Sequence, residues 1–340
     1  MTSNEQPFAE IVEIPNVEEL IDLAFRRASK AEVTFPKKSA PIDKARIREK
    51  ARVSIVYQVI SSRLGKLLRS FPSLEKIHPF YRELVEIATG VDKVKKSLKN
   101  IAKTQRLIKE IYVQIREEIS KADTPDTCTK LRRSFYGRVA SLLRDINDDL
   151  KLIKAVRDEL KDLPTINFNE VKVVVAGYPG VGKSTLVSLI SSAKPLIGKY
   201  PFTTKEVIVG HIKLDDERIQ VIDTPGLLEK PVEKMKKEEL KALNALKFLA
   251  DIIVFIVDVA ESCGFTIEQQ YSLFKSLAKY IERGDKIIVL NKIDLAKEDQ
   301  IMKAKEIFGE DVLQTSLLKK VGVKEVVDRL LSLSKTYTIN

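Results

Sequence analysis

Val171-Lys-Val-Val-Val-Ala-Gly177-Tyr178-Pro179-Gly180-Val181-Gly182-Lys183-Ser184-Thr185 is the stretch that decides the fold. Its first six residues are apolar and β-branched but for one lysine and the closing alanine, which reads as a strand buried on both faces. The strand passes straight into Gly177-x-x-x-x-Gly182-Lys183-Ser184, the pattern of a phosphate-cradling loop. Phosphate oxygens need many inward-pointing backbone N–H donors, and glycines let bare backbone come that close with no Cβ in the way. The spacing assigns residues 177–182 to the cradle and Lys183 to the β- and γ-phosphates. Ser184 becomes a Mg²⁺-ligating hydroxyl, and Thr185 lies in the first turn of a helix whose positive end faces the same anion.

Downstream of this loop, short apolar runs at 207–213, 218–222, 252–257, 286–290 and 312–314 alternate with helical periodicity near 184–192, 237–250, 267–280, 297–308 and 323–333. That alternation predicts a mostly parallel six-stranded sheet with helices on both faces. The short turn at Asp215-Asp216 joins two of the strands as a hairpin, so one strand runs antiparallel. Upstream the rhythm is helical throughout, with segments at 17–30, 43–70, 79–89 closed by Gly90, 92–122, and one long helix from 126 to about 163. Residues 1–165 therefore read as an all-α helical bundle, and residues 166–340 as a second, α/β domain.

The chain has 340 residues and a net charge of +11, very unevenly spread. Residues 1–20 carry −5, residues 21–140 carry +15, residues 141–170 carry −2 and residues 171–340 carry +3. A polyanion partner for the front half is the sharper reading of that excess, and a solvated mixed-charge surface the blander one. Lys130, Arg132, Arg133 and Arg138 sit beside Phe135 and Tyr136, which suits either RNA contact or packing of a bundle face. Two cysteines, Cys128 and Cys263, exclude a disulfide framework and a cysteine metal cluster and suit a reducing cytoplasmic compartment. No membrane span is expected, because the longest apolar run, 252–257, is closed by Asp251 and Asp258.

Four further motifs follow the phosphate loop in GTPase order. Asp223-Thr-Pro-Gly226 ends a strand, where Asp223 can hold Mg²⁺ and the Gly226 N–H can meet a γ-phosphate. Asn291-Lys292-Ile-Asp294 ends another strand. The Asp294 carboxylate can accept the N1–H and 2-amino donors of guanine, which adenine lacks, Lys292 can lie over the purine, and Asn291 can tie back to the phosphate loop. Ser316 and Leu317, after the last strand, are expected to give backbone N–H groups to the guanine carbonyl. Between the helix after the phosphate loop and the hairpin, Tyr200-Pro-Phe-Thr203-Thr204 stands where a phosphate-sensing loop belongs, with Thr204, or else Thr203, on Mg²⁺ when a γ-phosphate is present. The predicted fold is thus an α/β P-loop GTPase domain preceded by an all-α bundle. Its ligands are GTP and GDP with Mg²⁺, and its catalytic set is Lys183, Thr204, Asp223 and Gly226.

Residues 177–184, Tyr200-Pro-Phe-Thr-Thr-Lys205, Val209-Gly-His211, Asp223-Thr-Pro-Gly-Leu227 and Glu261-Ser-Cys-Gly264 resemble the Obg-related branch of translation-factor GTPases. Ile77-His-Pro-Phe-Tyr81 and Lys130-Leu-Arg-Arg-Ser-Phe-Tyr-Gly-Arg138 narrow the resemblance to the nucleolar GTP-binding protein family in its shorter, archaeal form. The resemblance implies a GTP-hydrolysing switch in large ribosomal subunit assembly, with large-subunit rRNA or a pre-ribosomal particle as partner of the bundle and a monomeric chain. Two residues depart from related patterns. Leu227 stands where Ras-like proteins place a water-orienting glutamine, so intrinsic hydrolysis is expected near 10⁻⁴ to 10⁻² s⁻¹, roughly the unassisted range. Gly180 stands where potassium-stimulated relatives carry asparagine. A competing reading is an RNA-binding module with a permanently bound, non-hydrolysed guanine nucleotide.

Overall fold

The computed structural model describes residues 6–199, 206–214, 217–223 and 228–338. Thr203, Thr204, Gly226, Leu227 and the turn at 215–216 lie outside the described residues. Among the described residues eleven α-helices and seven strands follow one another as α1 Val17–Ser29, α2 Pro41–Ser70, α3 Pro79–Ala88, α4 Val91–Lys121, α5 Pro125–Asp145, α6 Asn147–Leu160, β1 Val171–Ala176, α7 Lys183–Ile190, β2 Leu196–Lys199, β3 Glu206–Leu214, β4 Glu217–Asp223, α8 Lys237–Leu246, β5 Ile252–Asp258, α9 Ile267–Tyr280, β6 Asp285–Asn291, α10 Glu298–Phe308, β7 Val312–Gln314 and α11 Val323–Thr338. They form two compact units. One comprises residues 10–76 and 88–158, and the other residues 1–9, 77–87 and 159–340.

The sheet-bearing unit is an α/β P-loop GTPase fold. Its strand order is β2-β3-β4-β1-β5-β6-β7, with β1 at the centre, parallel to β4 on one side and β5 on the other. Every residue of β1 and β5 is buried, as a strand covered by helices on both faces requires. Only β3 runs against the rest, pairing antiparallel with β2 and β4. The expected six strands become seven, because β2 extends the edge beyond the hairpin. Its Leu196 and Ile197 are exposed, and its N–H at Lys199 donates to Asp162 O at 3.2 Å. A four-residue exposed edge strand has neither the buried run nor the alternation that marks a strand in sequence.

Residues 6–9 and 77–87, the latter holding nearly all of α3, also belong to this unit. The Ile77–Tyr81 stretch explains why. The His78 ring stacks on Phe168 at 3.6 Å between centroids, Tyr81 meets the same ring edge-on at 5.5 Å, and Phe8 packs against Tyr81 at 6.1 Å. Phe168 leads directly into β1, so this aromatic cluster seats the strand that carries the phosphate loop. Burial lowers the His78 pKa to about 4, helped by the Lys172 charge and opposed by Asp251. The neutral ring's Nδ1 accepts from Phe80 N at 3.2 Å.

The second unit is helical. α2 packs on α1, α4 and α5, and Val53, Val56, Ile60, Leu64, Ile101, Ile108, Ile115, Phe135, Val139 and Leu143 fill its core. The single helix expected over 126–163 is two, divided at Ile146. Asn147, Asp148 and Asp149 prefer a helix start to an interior, where their side chains compete for the backbone and carboxylates meet a favourable dipole. Glu49 is buried in this unit among Arg48, Arg52 and Arg132, at 3.1, 3.2 and 2.6 Å. Arg132 also lies 5.1 Å over the ring of Tyr136, which stacks on Phe25. The basic run on α5 therefore divides. Arg132 and Phe135 serve packing, while Lys130, Arg133 and Arg138 remain exposed.

Candidate nucleotide site

The carboxyl ends of β1, β4, β5 and β6 come together in register. Val175 pairs with Asp223, and Asp258 pairs with Asn291. In an open parallel sheet this is where ligands bind. Between β1 and α7 the chain turns through Gly177 at φ +139°, Gly180 at φ +77° and Gly182 at φ +113°, a region side chains disfavour. Space is as restrictive as conformation. A Cβ on Gly177 would lie 2.6 Å from Ile256 O, and one on Gly182 2.5 Å from Asn291 Nδ2. Tyr178 is buried and stacked on Phe265 at 3.7 Å, Pro179 and Gly180 are exposed, and Val181 is buried.

Lys183 opens α7 with its ammonium buried, donating to Tyr178 O at 2.9 Å and paired with Glu229 at 2.8 Å. Ser184 Oγ donates to Asp223 Oδ2 at 2.8 Å. Asp223 is fully buried, and its other oxygen, Oδ1, has no hydrogen-bond partner among the described residues. Burial raises the Asp223 pKa, Ser184 and Lys183 pull it down, and the Glu229 charge adds to the rise. An orphaned carboxylate oxygen beside a serine hydroxyl is a hard-oxygen pair that suits Mg²⁺, which takes one or two protein ligands and completes its shell with phosphate oxygens and water. Among the described residues no group of three or more His, Cys, Asp or Glu could hold a metal by itself.

Asn291 joins the two halves of the site. Its Nδ2 donates to Val181 O at 2.7 Å, and its Oδ1 accepts from Leu317 N at 3.1 Å and Thr315 Oγ1 at 3.2 Å. Lys292, at φ +65°, is pinned by Asp258 Oδ2 at 2.8 Å and Ser262 Oγ at 2.9 Å. Asp294 is held below the usual carboxylate range by the Ser316 hydroxyl, with Lys319 adding a smaller contribution from 3.4 Å. It stays an ionised acceptor at any ordinary pH. The backbone N–H groups of Ser316 and Leu317 are already taken, by Val321 O and Asn291 Oδ1. Through these bonds and the Ser316 hydroxyl the two residues brace Asn291 and Asp294.

Two residues of the site escape motif reading. Asp258 ends β5 fully buried, and its carboxylate gathers Lys292, Ser262 Oγ, Cys263 N and Ala260 N. Its place at the close of a buried run, like that of Asp223, is a signal that could have found it. Glu229 has no such signal, being one acidic residue in a polar stretch.

Comparison with known proteins agrees with this geometry. Residues 8–167 match the family model described as the NOG1 N-terminal helical domain, and residues 172–292 the one described as 50S ribosome-binding GTPase. An uncharacterized protein of Methanocaldococcus jannaschii is 38% identical over 303 residues, covering 88% of this chain and 85% of that one. Nucleolar GTP-binding protein 1 of Drosophila melanogaster is 30% identical over 96% of this chain and 52% of its own length. The chain thus spans about half the length of the eukaryotic relatives it matches. Among solved structures, a nucleolar GTP-binding protein 1 from Plasmodium falciparum covers 52% of this chain and 92% of its own, at 30% identity and a TM-score of 0.45.

Proposed function

We propose, from the premise that this chain belongs to the nucleolar GTP-binding protein 1 family, that it binds GTP with Mg²⁺, hydrolyses it to GDP and phosphate, and acts as a switch on a large-subunit pre-ribosomal particle. The observation that carries the nucleotide reading is the Asn291 bridge. It fastens the phosphate loop at Val181 to the loop bearing Asp294, so one ligand with a purine at one end and phosphates at the other spans both. The family names and the 50S ribosome-binding description of the matched GTPase model support the partner.

In this reading residues 177–182 wrap the phosphates, with backbone N–H groups given by Gly180, Val181 and Gly182, and Thr185 continues the helix behind them. Lys183 contributes its charge to the β- and γ-phosphates, and Asp294 takes both guanine donors. Ser184 and Asp223, with Thr204 or Thr203, would hold a Mg²⁺ ion, whose charge would offset that of the phosphates. The Gly226 N–H meets the γ-phosphate. Water attacks the γ-phosphorus and the β–γ bridging oxygen leaves with GDP. Leu227 has no hydrogen-bonding group for that water, so basal turnover is slow and a partner supplies the missing orientation. The exposed Lys130, Arg133 and Arg138 of the helical unit provide phosphate contacts to rRNA.

The test is competition binding followed by single-turnover phosphate release, with and without large-subunit rRNA or particles. GTP and GDP should displace a labelled guanine nucleotide while ATP does not, Asp294→Ala should erase that preference, and release should accelerate with particles. Equal uptake of ATP would end the nucleotide reading. Absence of stimulation by every ribosomal species would end the partner reading. A nucleotide retained unhydrolysed through the assay would instead support the permanently bound alternative.

A further inference from the structure

Lys183 has an acidic companion that lies outside every phosphate-site motif in the chain. A buried ammonium keeps its charge only where carbonyls or anions take its hydrogens. Here Tyr178 O takes one at 2.9 Å and Glu229 Oε1 another at 2.8 Å, with the Glu229 side chain itself only 17% exposed. Glu229 follows Asp223 by six positions, and its charge also bears on that carboxyl. Lys183, Asp223 and Glu229 thus make one electrostatic group rather than a cation and a metal ligand with a bystander.

The inference rests on the reading above, in which the loop holds a guanine nucleotide. A phosphate-loop lysine serves both the β- and the γ-phosphate. With a diphosphate, the hydrogen directed at the γ-oxygen is still available, and the Glu229 carboxylate is in place to accept it. With a triphosphate, the γ-oxygens and the carboxylate would crowd one ammonium in a pocket shielded from water, where like charges repel strongly. We infer that Glu229 is a specificity-determining residue, a tethered anion that takes the γ-phosphate's place on Lys183 and must be displaced before GTP can occupy the site. Glu229 therefore sets the ratio of GTP to GDP affinity.

Displacement has a route outward through the neighbouring residues. Leu228 O accepts from Gly177 N at 3.2 Å, and Lys230 pairs with Glu239 of α8 at 2.7 Å. Expelling the carboxylate pulls on both, so a terminal phosphate is felt at the first turn of the phosphate loop and at α8.

The experiment measures equilibrium dissociation constants of labelled GDP and of a non-hydrolysable GTP analogue, with Mg²⁺, for the full chain and for Glu229→Gln, Glu229→Ala and Glu229→Asp. Loss of a charge-assisted competitor should shift the ratio toward the triphosphate by about tenfold in the Gln and Ala variants. The Asp variant, which keeps the charge, should stay near the native ratio. Because Gln preserves shape, a circular-dichroism melt close to that of the native chain certifies that variant should Ala fail to fold. A ratio unchanged in Glu229→Gln while GDP still binds would overturn the role of Glu229 and leave the nucleotide reading intact. Failure of the native chain to bind either nucleotide would overturn both.

Discussion

Asn291 engages both ends of its side-chain amide inside the protein, giving one hydrogen to Val181 O and accepting from both Leu317 N and Thr315 Oγ1. Truncation leaves two buried partners, Val181 O and Leu317 N, unsatisfied, each a loss of about 1 kcal/mol or more, while the Thr315 hydroxyl keeps Leu290 O at 3.3 Å. Asn291→Ala should weaken GDP binding at least tenfold and lower the melting temperature even with no ligand added. A ligand-only effect in calorimetry would contradict that. The motif positions around it were legible in sequence because each answers to a chemical requirement at fixed spacing: glycine where a Cβ would strike Ile256 O, a carboxylate where guanine has donors. Asp258 and Glu229 were not, because their roles arise from where β5 and the chain beyond β4 end in space. The bonds that Ser316 N makes to Val321 O and Leu317 N makes to Asn291 Oδ1 come from the folded loop, which no one-dimensional pattern reveals.

At the scale of elements, buried parallel strands announce themselves as continuous Val and Ile runs, and so β1, β4, β5 and β6 fall within a residue or two of expectation. β2 and the break at Ile146 depend on what neighbours supply, an edge to pair with in one case and a new helix start in the other. The phosphate loop is the element with least freedom. Gly182→Ala places a methyl 2.5 Å from Asn291 Nδ2 at φ +113°, so the variant should lose nucleotide binding outright and unfold earlier. Strain of about 1–3 kcal/mol is expected, measurable as a reduced urea midpoint. In the helical unit, Glu49→Ala would strip three arginines of a shared buried partner, at a cost of about 3–5 kcal/mol. Chemical denaturation followed by far-ultraviolet circular dichroism reads that loss, and a change below about 1 kcal/mol would show that the arginines are satisfied elsewhere.

At the scale of the whole molecule, stability should depend on acidity through His78. Its folded pKa of about 4 lies below the ordinary value of 6.5, so between these pH values the unfolded chain binds a proton that the folded chain refuses. Stability therefore falls as pH drops from about 6.5 to 4 and loses nothing further through this group below that window. His78→Phe, which keeps the ring on Phe168, should flatten that part of the profile in a series of melts. Because that stack ties residues 77–87 to a unit whose remaining chain begins at 159, the unit is discontinuous in sequence. A ribosome making this chain emits the Phe8 segment and α3 long before the strands that will shelter them, whereas every residue of the helical unit has emerged by position 158. Nascent-chain protease mapping should accordingly find α1, α2, α4 and α5 protected first and α3 cleavable until β1 has emerged. Early protection of α3 would mean it finds shelter elsewhere during synthesis.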